Sequence, residues 1–395
     1  MHQYNNWNHF LESLGFLVHI LVSPTVGYQP RDLVSHAPIQ FNWQLRKVSG
    51  LRAGADAFMT RVPARAAPDG APRRVLVLSV FHGLANRLRT VAAGAALAEA
   101  LDRDLHVDWR ANRQCNATWE ELFSAPSLRT ASAEIEASRD MSVDARAEQL
   151  GWTEYAPRAG CGSALDRFDL AGLADDEARI VRLRCAKCVS SLTESASSAA
   201  EDEASRATFY RTIVPSVAVA ALMAPVTSAG VGRYVVGVHI RQGDAYDTAQ
   251  AYFFRDRSGV YGAAADGGAL VERFLQKMSE FPPAKGKHGQ LPTVFFVASD
   301  QLSARRRCAA RFPGRVLQLA PALAALAAPA VDGGGAALSS ELVRRDTVSA
   351  MQEAAAEWLL LSECKRLIRS GVSSFSSEAA RCHSIPACNI NRESS

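Results

Sequence analysis

Four polar clusters in this chain stand directly after apolar runs of strand length. Phe81-His82-Gly83-Leu84-Ala85-Asn86-Arg87 follows the run 74–80, and His239-Ile240-Arg241-Gln242-Gly243-Asp244 closes the run 234–240. Ala298-Ser299-Asp300 ends the run 293–298, and Gly371-Val372-Ser373-Ser374-Phe375-Ser376-Ser377-Glu378 follows the run 366–369. Their residue types suit a phosphorylated ligand. Gly83 permits close backbone approach, and a helix starting there offers unpaired amide groups to an anion. Arg241 supplies a planar, permanently charged fork for phosphate oxygens. Asp300 at a strand tip can accept hydrogen bonds from a base or ribose, and a serine-rich helix start with Ser376 and Ser377 offers hydroxyl and N–H groups to a diphosphate. In this order the four describe a nucleotide-diphosphate site. Taken singly each has a plainer reading: Gly83 as a turn glycine, Asp244 as a turn residue after Gly243, Ser376 as a helix cap.

The elements that must position these clusters read as alternating strands and helices. Residues 74–109 predict a βαβ unit: a nearly continuous apolar strand, a turn at Gly83, a helix with Leu88, Val91, Ala95 and Ala98 on one face, and a second strand at Asp104–Trp109. Between 125 and 225 the pattern weakens to one strand at Ile180–Leu183 and a Ser/Ala/Glu segment, 190–205, that reads as an exposed loop. A second series then predicts strands at 234–240, 293–298, 315–319 and 366–369, with helices at 270–280, 302–311 and 341–362 and a last helix opened by the serine-rich cluster. Two parallel sheets in series place a ligand at the C-terminal strand ends and in the crevice between domains. The expected organisation is an N-terminal extension and linker over 1–72, a domain over 73–225, a second over 226–388 and a tail over 389–395.

Composition narrows the class. With 395 residues, 48% hydrophobic and 21% charged, the chain is too long for one ordinary core and too apolar for disorder, which leaves a globular enzyme or a large binding protein. A net charge of +4 is too small to track a phosphate backbone, so nucleic acid is not an expected partner. The apolar run 14–22 is interrupted by His19 and falls short of the roughly 20 residues of a membrane span; no Lys or Arg precedes Arg31, which argues against an ordinary signal peptide. Membrane anchoring stays open. Eight cysteines, an even count, and the sequon Asn116-Ala117-Thr118 favour a secretory compartment such as the Golgi lumen over the cytoplasm. Cys185 and Cys188 form a lone CxxC without a second pair at zinc spacing, and disulfides or buried thiols are the expectation there.

At these motifs the sequence resembles a family. GLANRLRTVAAGAALAEALDRDLHVDWR is similar to the opening of the fucosyltransferases that include the bacterial nodulation, plant xyloglucan and α1,6 core enzymes. VGVHIRQGD resembles the His-x-Arg motif of the α1,2, α1,6 and protein O-fucosyltransferase superfamily, and VFFVASD and SSFSSEAA resemble its two remaining motifs. The resemblance covers about residues 73–110 and 233–385. It implies a GT-B fold, an α/β architecture of two Rossmann-like domains whose parallel sheets face each other across a cleft, and an inverting, metal-independent transfer of fucose from GDP-fucose to a glycan or glycoprotein hydroxyl. No cofactor is implied beyond that donor substrate. Carried over by position, Arg241 would hold the β-phosphate, and His239 and Asp300 would contact the guanine. Ser376, Ser377 and Glu378 would line the diphosphate, with Gly83, Asn86 and Arg87 in the acceptor-side loop facing it. The chain has Gln242 where many relatives carry a second arginine, and Glu378 where the core-type enzyme has glutamine; a glutamate there brings negative charge towards a diphosphate.

The implied chemistry needs two further things. Negative charge that builds on the leaving GDP must be met by fixed cations and dipoles, the part assigned to Arg241. The acceptor hydroxyl must be activated by a base, for which Asp244 and His82 are candidates by placement. Asp102-Arg103-Asp104 matches an Asp-x-Asp metal pattern but falls in the helix-to-strand turn, at the sheet end away from the ligand, so no metal site is expected. The alternatives are a GT-B enzyme with another nucleotide sugar and an inactive homologue that binds a glycan or a protein partner.

Overall fold

The computed structural model describes residues 74–124, 129–130, 152–155, 165–166, 173, 176–185, 188–189, 196–241, 267–286, 289–319, 347–370 and 373–390. The apolar run 14–22, Gln242, Asp244 and residues 190–195 and 341–346 lie outside them.

The first sheet grows from β1 (Val75–Val80), whose Leu and Val side chains are buried from Leu76 onward. Helix α1 (Leu84–Ala100) returns the chain to β2 (Asp104–Trp109), parallel to β1. One turn, α2 (Trp119–Leu122), is closed by a capping box: the Thr118 hydroxyl accepts from the Glu121 N–H while the Glu121 carboxylate accepts from the Thr118 N–H. Then follow β3 (Arg129–Thr130), β4 (Trp152–Tyr155), β5 (Leu165–Asp166), β6 (Ile180–Cys185) and β7 (Cys188–Val189). The five-stranded sheet has the order β3-β2-β1-β6-β4, parallel throughout, and β5 pairs with β7 apart from it.

Two helices differ from expectation. Part of the Ser/Ala/Glu segment forms α3 (Ala196–Thr212) instead of a loop, because Ala and Glu are good helix formers and the end of the helix delivers Ala207, Phe209 and Tyr210 to the core. The run VAVAALMAPVTSAG, unassigned by pattern, forms α4 (Val217–Gly230), capped by the Ser216 hydroxyl, which accepts from the Val219 N–H. Pro225 sits inside α4 but on its exposed side, and Ala221, whose carbonyl loses its helical donor there, is exposed to water as well. The domain boundary expected at 225/226 falls within this helix.

The second sheet comprises β8 (Tyr234–Ile240), β11 (Thr293–Ser299), β12 (Val316–Leu317), β13 (Arg366–Arg369) and β14 (Ala387–Asn389), in the parallel order β12-β11-β8-β13-β14. Between these strands lie α5 (Gly267–Ser279), the hairpin of β9 (Ala284–Gly286) and β10 (Gly289–Leu291), α6 (Leu302–Arg311), α7 (Val348–Glu363) and α8 (Ser374–Cys382). One face, with Val236, Val238, Phe295, Val297 and Ile368, packs on α5 and α6 through Leu270, Phe274, Met278, Ala304 and Cys308. The other face meets α7. A side chain at Gly237 would place its Cβ 2.4 Å from Leu367 and 2.9 Å from Leu361, so the absence of one lets α7 and β13 close on β8. Phe296, Ala298, Leu361 and Leu367 on this side belong to the same cluster as Leu76, Leu78, Val107 and Leu183 of the first sheet. Both sheets belong to one compact unit, Gly54–Ser395. Each fully buried Leu or Phe here contributes about 1.5–3 kcal/mol.

Candidate functional site

In the second sheet the strand order reverses at β8, with β11 and β12 on one side and β13 and β14 on the other. Open α/β sheets bind ligands outside the C-terminal strand ends at such a reversal. His239, at the end of β8, lies in register with Ala298 of β11 and with Arg369 of β13. Three adjacent strands thereby bring His239, Arg241, Asp300, Arg369 and Ser370 to one edge.

His239 is 5% exposed, and its ring stacks on Phe375 at 5.2 Å and 24°. Burial first, then the positive charges of Arg241, Arg305 and Arg369, push its pKa down to about 3, so the imidazole is neutral at any working pH. Its Nδ1 is buried and has no hydrogen-bond partner among the described residues. Arg241 Nη1 lies 3.2 Å from Asp300 Oδ2, an ion pair between side chains 16% and 6% exposed. The Arg241 backbone is fixed as well: its N–H donates to the Ser370 hydroxyl at 3.1 Å, and the Ser370 N–H donates to the His239 carbonyl at 3.2 Å. Ser370 thus ties β8 to β13 at the residue that aims Arg241.

The serine-rich cluster is the start of α8. The Ser377 hydroxyl donates to the Ser373 carbonyl at 2.8 Å and accepts from the Arg369 guanidinium, which joins the helix start to β13. Ser376 is fully buried and its Oγ has no hydrogen-bond partner among the described residues. Glu378 spends its carboxylate within the protein: it accepts from the Tyr210 hydroxyl at 2.7 Å and the Arg381 guanidinium at 2.5 Å, and lies 4.0 Å from Arg89 Nη1. The negative charge expected beside a diphosphate is balanced instead where α1, α3 and α8 meet.

The cluster after β1 leads into α1. His82 holds a left-handed backbone with φ of 74°, and its carbonyl accepts from Arg87 Nε at 2.8 Å. Gly83 is the N-cap of α1 with φ of −73°, and a Cβ there would meet only the Gln114 carbonyl oxygen at 3.9 Å. Nothing described in the chain itself therefore demands a glycine. Asn86 accepts from Arg89 through its side-chain oxygen at 3.1 Å. Arg87 is wholly buried, stacks over Trp109 at 5.0 Å and donates to the Arg110 carbonyl at 2.6 Å, which makes it a tie between the β1 and β2 ends; burial holds its pKa below the usual arginine value. Beside it, the Asp108 carboxylate accepts from Ser79, Arg182 and Arg110 at 3.0–3.1 Å, a knot across β1, β2 and β6 that the motifs did not point to.

Asp102 and Asp104 precede or open β2, at the sheet end opposite Gly83, with Asp102 in a left-handed turn at φ of 52°. Among the described residues no three His, Cys, Asp or Glu side chains group as metal ligands, and no helix is long and apolar enough to cross a membrane. Cys115 and Cys308 are buried thiols, pushed up to about 11 and 12 by burial.

Four residues at or behind the second-sheet edge escaped the motifs: Arg369 and Ser370 at the end of β13, Arg305 of α6 and Glu357 of α7. Arg305 donates through Nε and Nη2 to the Ser299 carbonyl at 3.0 and 2.5 Å and pairs with Glu357 at 2.7 Å. The one sequence cue was Glu357 itself, a lone carboxylate inside the apolar run AAAEWLLL.

The chain is similar to solved fucosyltransferases. It resembles the NodZ α1,6-fucosyltransferase soaked with GDP-fucose, at 14% identity over 80% of this chain and 95% of that one, with a TM-score of 0.47. A variant of Arabidopsis thaliana FUT1 in complex with GDP is 13% identical over 87% and 78%, with a TM-score of 0.49. POFUT1 in complex with GDP is 14% identical over 81% and 99%, with a TM-score of 0.47. No family model and no curated protein sequence matches the chain.

Proposed function

We propose that this protein is an inverting, metal-independent glycosyltransferase of GT-B type that transfers fucose from GDP-fucose to a hydroxyl of a glycan or glycoprotein. The observation that carries the reading is the edge of the second sheet: a neutral, buried His239 with an unpartnered Nδ1, beside Arg241 and Asp300 at the strand-order reversal. A neutral imidazole and a carboxylate suit the donor and acceptor edge of guanine, and a guanidinium suits the diphosphate. In this reading Arg241 turns from Asp300 towards the β-phosphate, or serves both through different nitrogens, and the buried Ser376 hydroxyl and Ser377 complete the cradle. Gly83 leaves room for the acceptor or the sugar to approach the backbone at the start of α1. Helix α1, which follows Gly83, and helix α8, which carries the serine cluster, pack together where Arg89 and Glu378 lie 4.0 Å apart, which brings the two sets of motif residues into one region.

Bond breaking leaves an oxocarbenium-like sugar and builds negative charge on GDP. Arg241 and the α8 amides meet that charge more strongly as it develops, which lowers the barrier more than it tightens the ground state. Acceptor deprotonation falls to His82 or Asp244. A transfer and hydrolysis assay with GDP-fucose, GDP-mannose and UDP-sugars, run with and without EDTA, tests the proposal. GDP-fucose turnover that survives chelation is the expected result; turnover of UDP-sugars instead, or activity abolished by EDTA and restored by Mn²⁺, contradicts it.

A further inference from the structure

We propose that Glu357 is a positioning residue of the nucleotide site, acting on Asp300 through Arg305 and the Ser299 carbonyl. This rests on the donor reading above for its ligand, although the contacts themselves do not. Glu357 lies in the most deeply buried part of α7, between Ala356 and Trp358. Its Oε1 is 2.7 Å from Nη2 of Arg305, a guanidinium only 2% exposed. The same guanidinium donates twice to the carbonyl of Ser299, the last residue of β11. The next residue is Asp300, whose carboxylate meets Arg241. A Gln318 amide that donates to the Arg305 carbonyl at 3.2 Å holds α6 from the β12 side. One arginine therefore anchors the strand end that carries Asp300, and Glu357 anchors the arginine.

The carboxylate also partitions charge. Arg241 and Arg305 are the cations nearest the Asp300 and Glu357 carboxylates, while Arg369 at the same edge is engaged by Ser377. With Glu357 ionised, Arg305 is satisfied and Asp300 is left to Arg241. With Glu357 neutral, Arg305 competes for Asp300.

Burial pushes Glu357 up to about 7; Arg305 opposes this, while Glu353 one turn earlier and Asp300 add repulsion. A carboxyl whose folded pKa is raised binds its proton more tightly folded than unfolded, so its contribution to stability falls as pH rises from about 4.5 to about 7. Glutamine could accept the same hydrogen bond without that loss.

The test compares Glu357→Gln and Glu357→Ala with the unmodified protein. Calorimetric titration with GDP from pH 6 to pH 8 is run beside melting curves, and amide exchange at Asp300 and Gln301 is followed in the nucleotide-free protein. Glu357→Ala is expected to weaken GDP binding by about 10-fold or more, the scale on which orienting residues act at metal sites, and to speed exchange at the β11 end. Glu357→Gln is expected to melt higher at pH 8 yet bind GDP more weakly there. Towards pH 6 the carboxyl of the unmodified protein takes up its proton and the two should converge; titration of the nucleotide's own phosphate is common to both. Unchanged exchange at Asp300 and Gln301 in Glu357→Ala, or GDP binding that differs equally at pH 6 and pH 8 in Glu357→Gln, overturns the proposal. Failure of the unmodified protein to bind GDP refutes the donor reading instead, and the exchange measurement then decides the role of Glu357 alone.

Discussion

Arg241 is where the chemistry concentrates, because it is a cation at the strand-order reversal whose backbone N–H is held by the Ser370 hydroxyl at the end of β13. If its guanidinium meets charge developing on the leaving diphosphate, Arg241→Ala lowers the transfer rate by about 10² to 10³, the scale for loss of one preorganised donor. Arg241→Lys should recover little of it, since an ammonium cannot reproduce a planar fork. The ion pair with Asp300 offers a plainer role, in which both variants would lose melting temperature in step with activity. Measuring the two together decides: an inactive protein of near-normal stability supports the assignment, and a fully active Arg241→Ala refutes it. Arg241, His239 and Asp300 could be picked out as candidates because they close successive apolar runs in an order that resembles a known family's motifs. Ser370 and Arg305 were not, since their meaning lies in partners such as Arg241, 129 residues from Ser370, that only the folded chain supplies.

At the scale of elements, the start of α8 has two jobs, to offer groups to a ligand and to lock against α1 and α3. The structure assigns Glu378 to the second, which gives a clean prediction. Tyr210→Phe keeps the ring against Trp358, at 5.4 Å, and removes only the hydroxyl that donates to Glu378. Leaving that buried carboxylate short of a donor should cost about 1–3 kcal/mol of stability, read by chemical denaturation, while GDP affinity stays unchanged. A fall in affinity without loss of stability would return Glu378 to the diphosphate. Strands such as Val75–Val80 and Tyr234–Ile240 were legible as nearly continuous apolar runs rich in β-branched residues. Helices α3 and α4 were not: α3 has low-complexity composition with Ala207, Phe209 and Tyr210 reaching the core, and α4 carries apolar residues on most sides together with a proline. In both, tertiary contact outweighs local pattern.

For the whole molecule, two parallel sheets whose order reverses at β1 and at β8 put both sets of motif residues at C-terminal strand ends. That consequence of topology was foreseeable from the alternation of strands and helices. The shared core was not: Trp358 and Leu361 of α7 and Ala379 of α8 belong to one cluster with Leu76 and Leu88. The central claim is that the second-sheet edge reads guanine and holds a diphosphate. Calorimetric titration of the intact protein with GDP, UDP and ADP in turn tests it most directly. Binding of GDP in clear preference to the other two is the predicted result, and equal affinity for UDP and GDP would contradict the account while leaving the fold untouched.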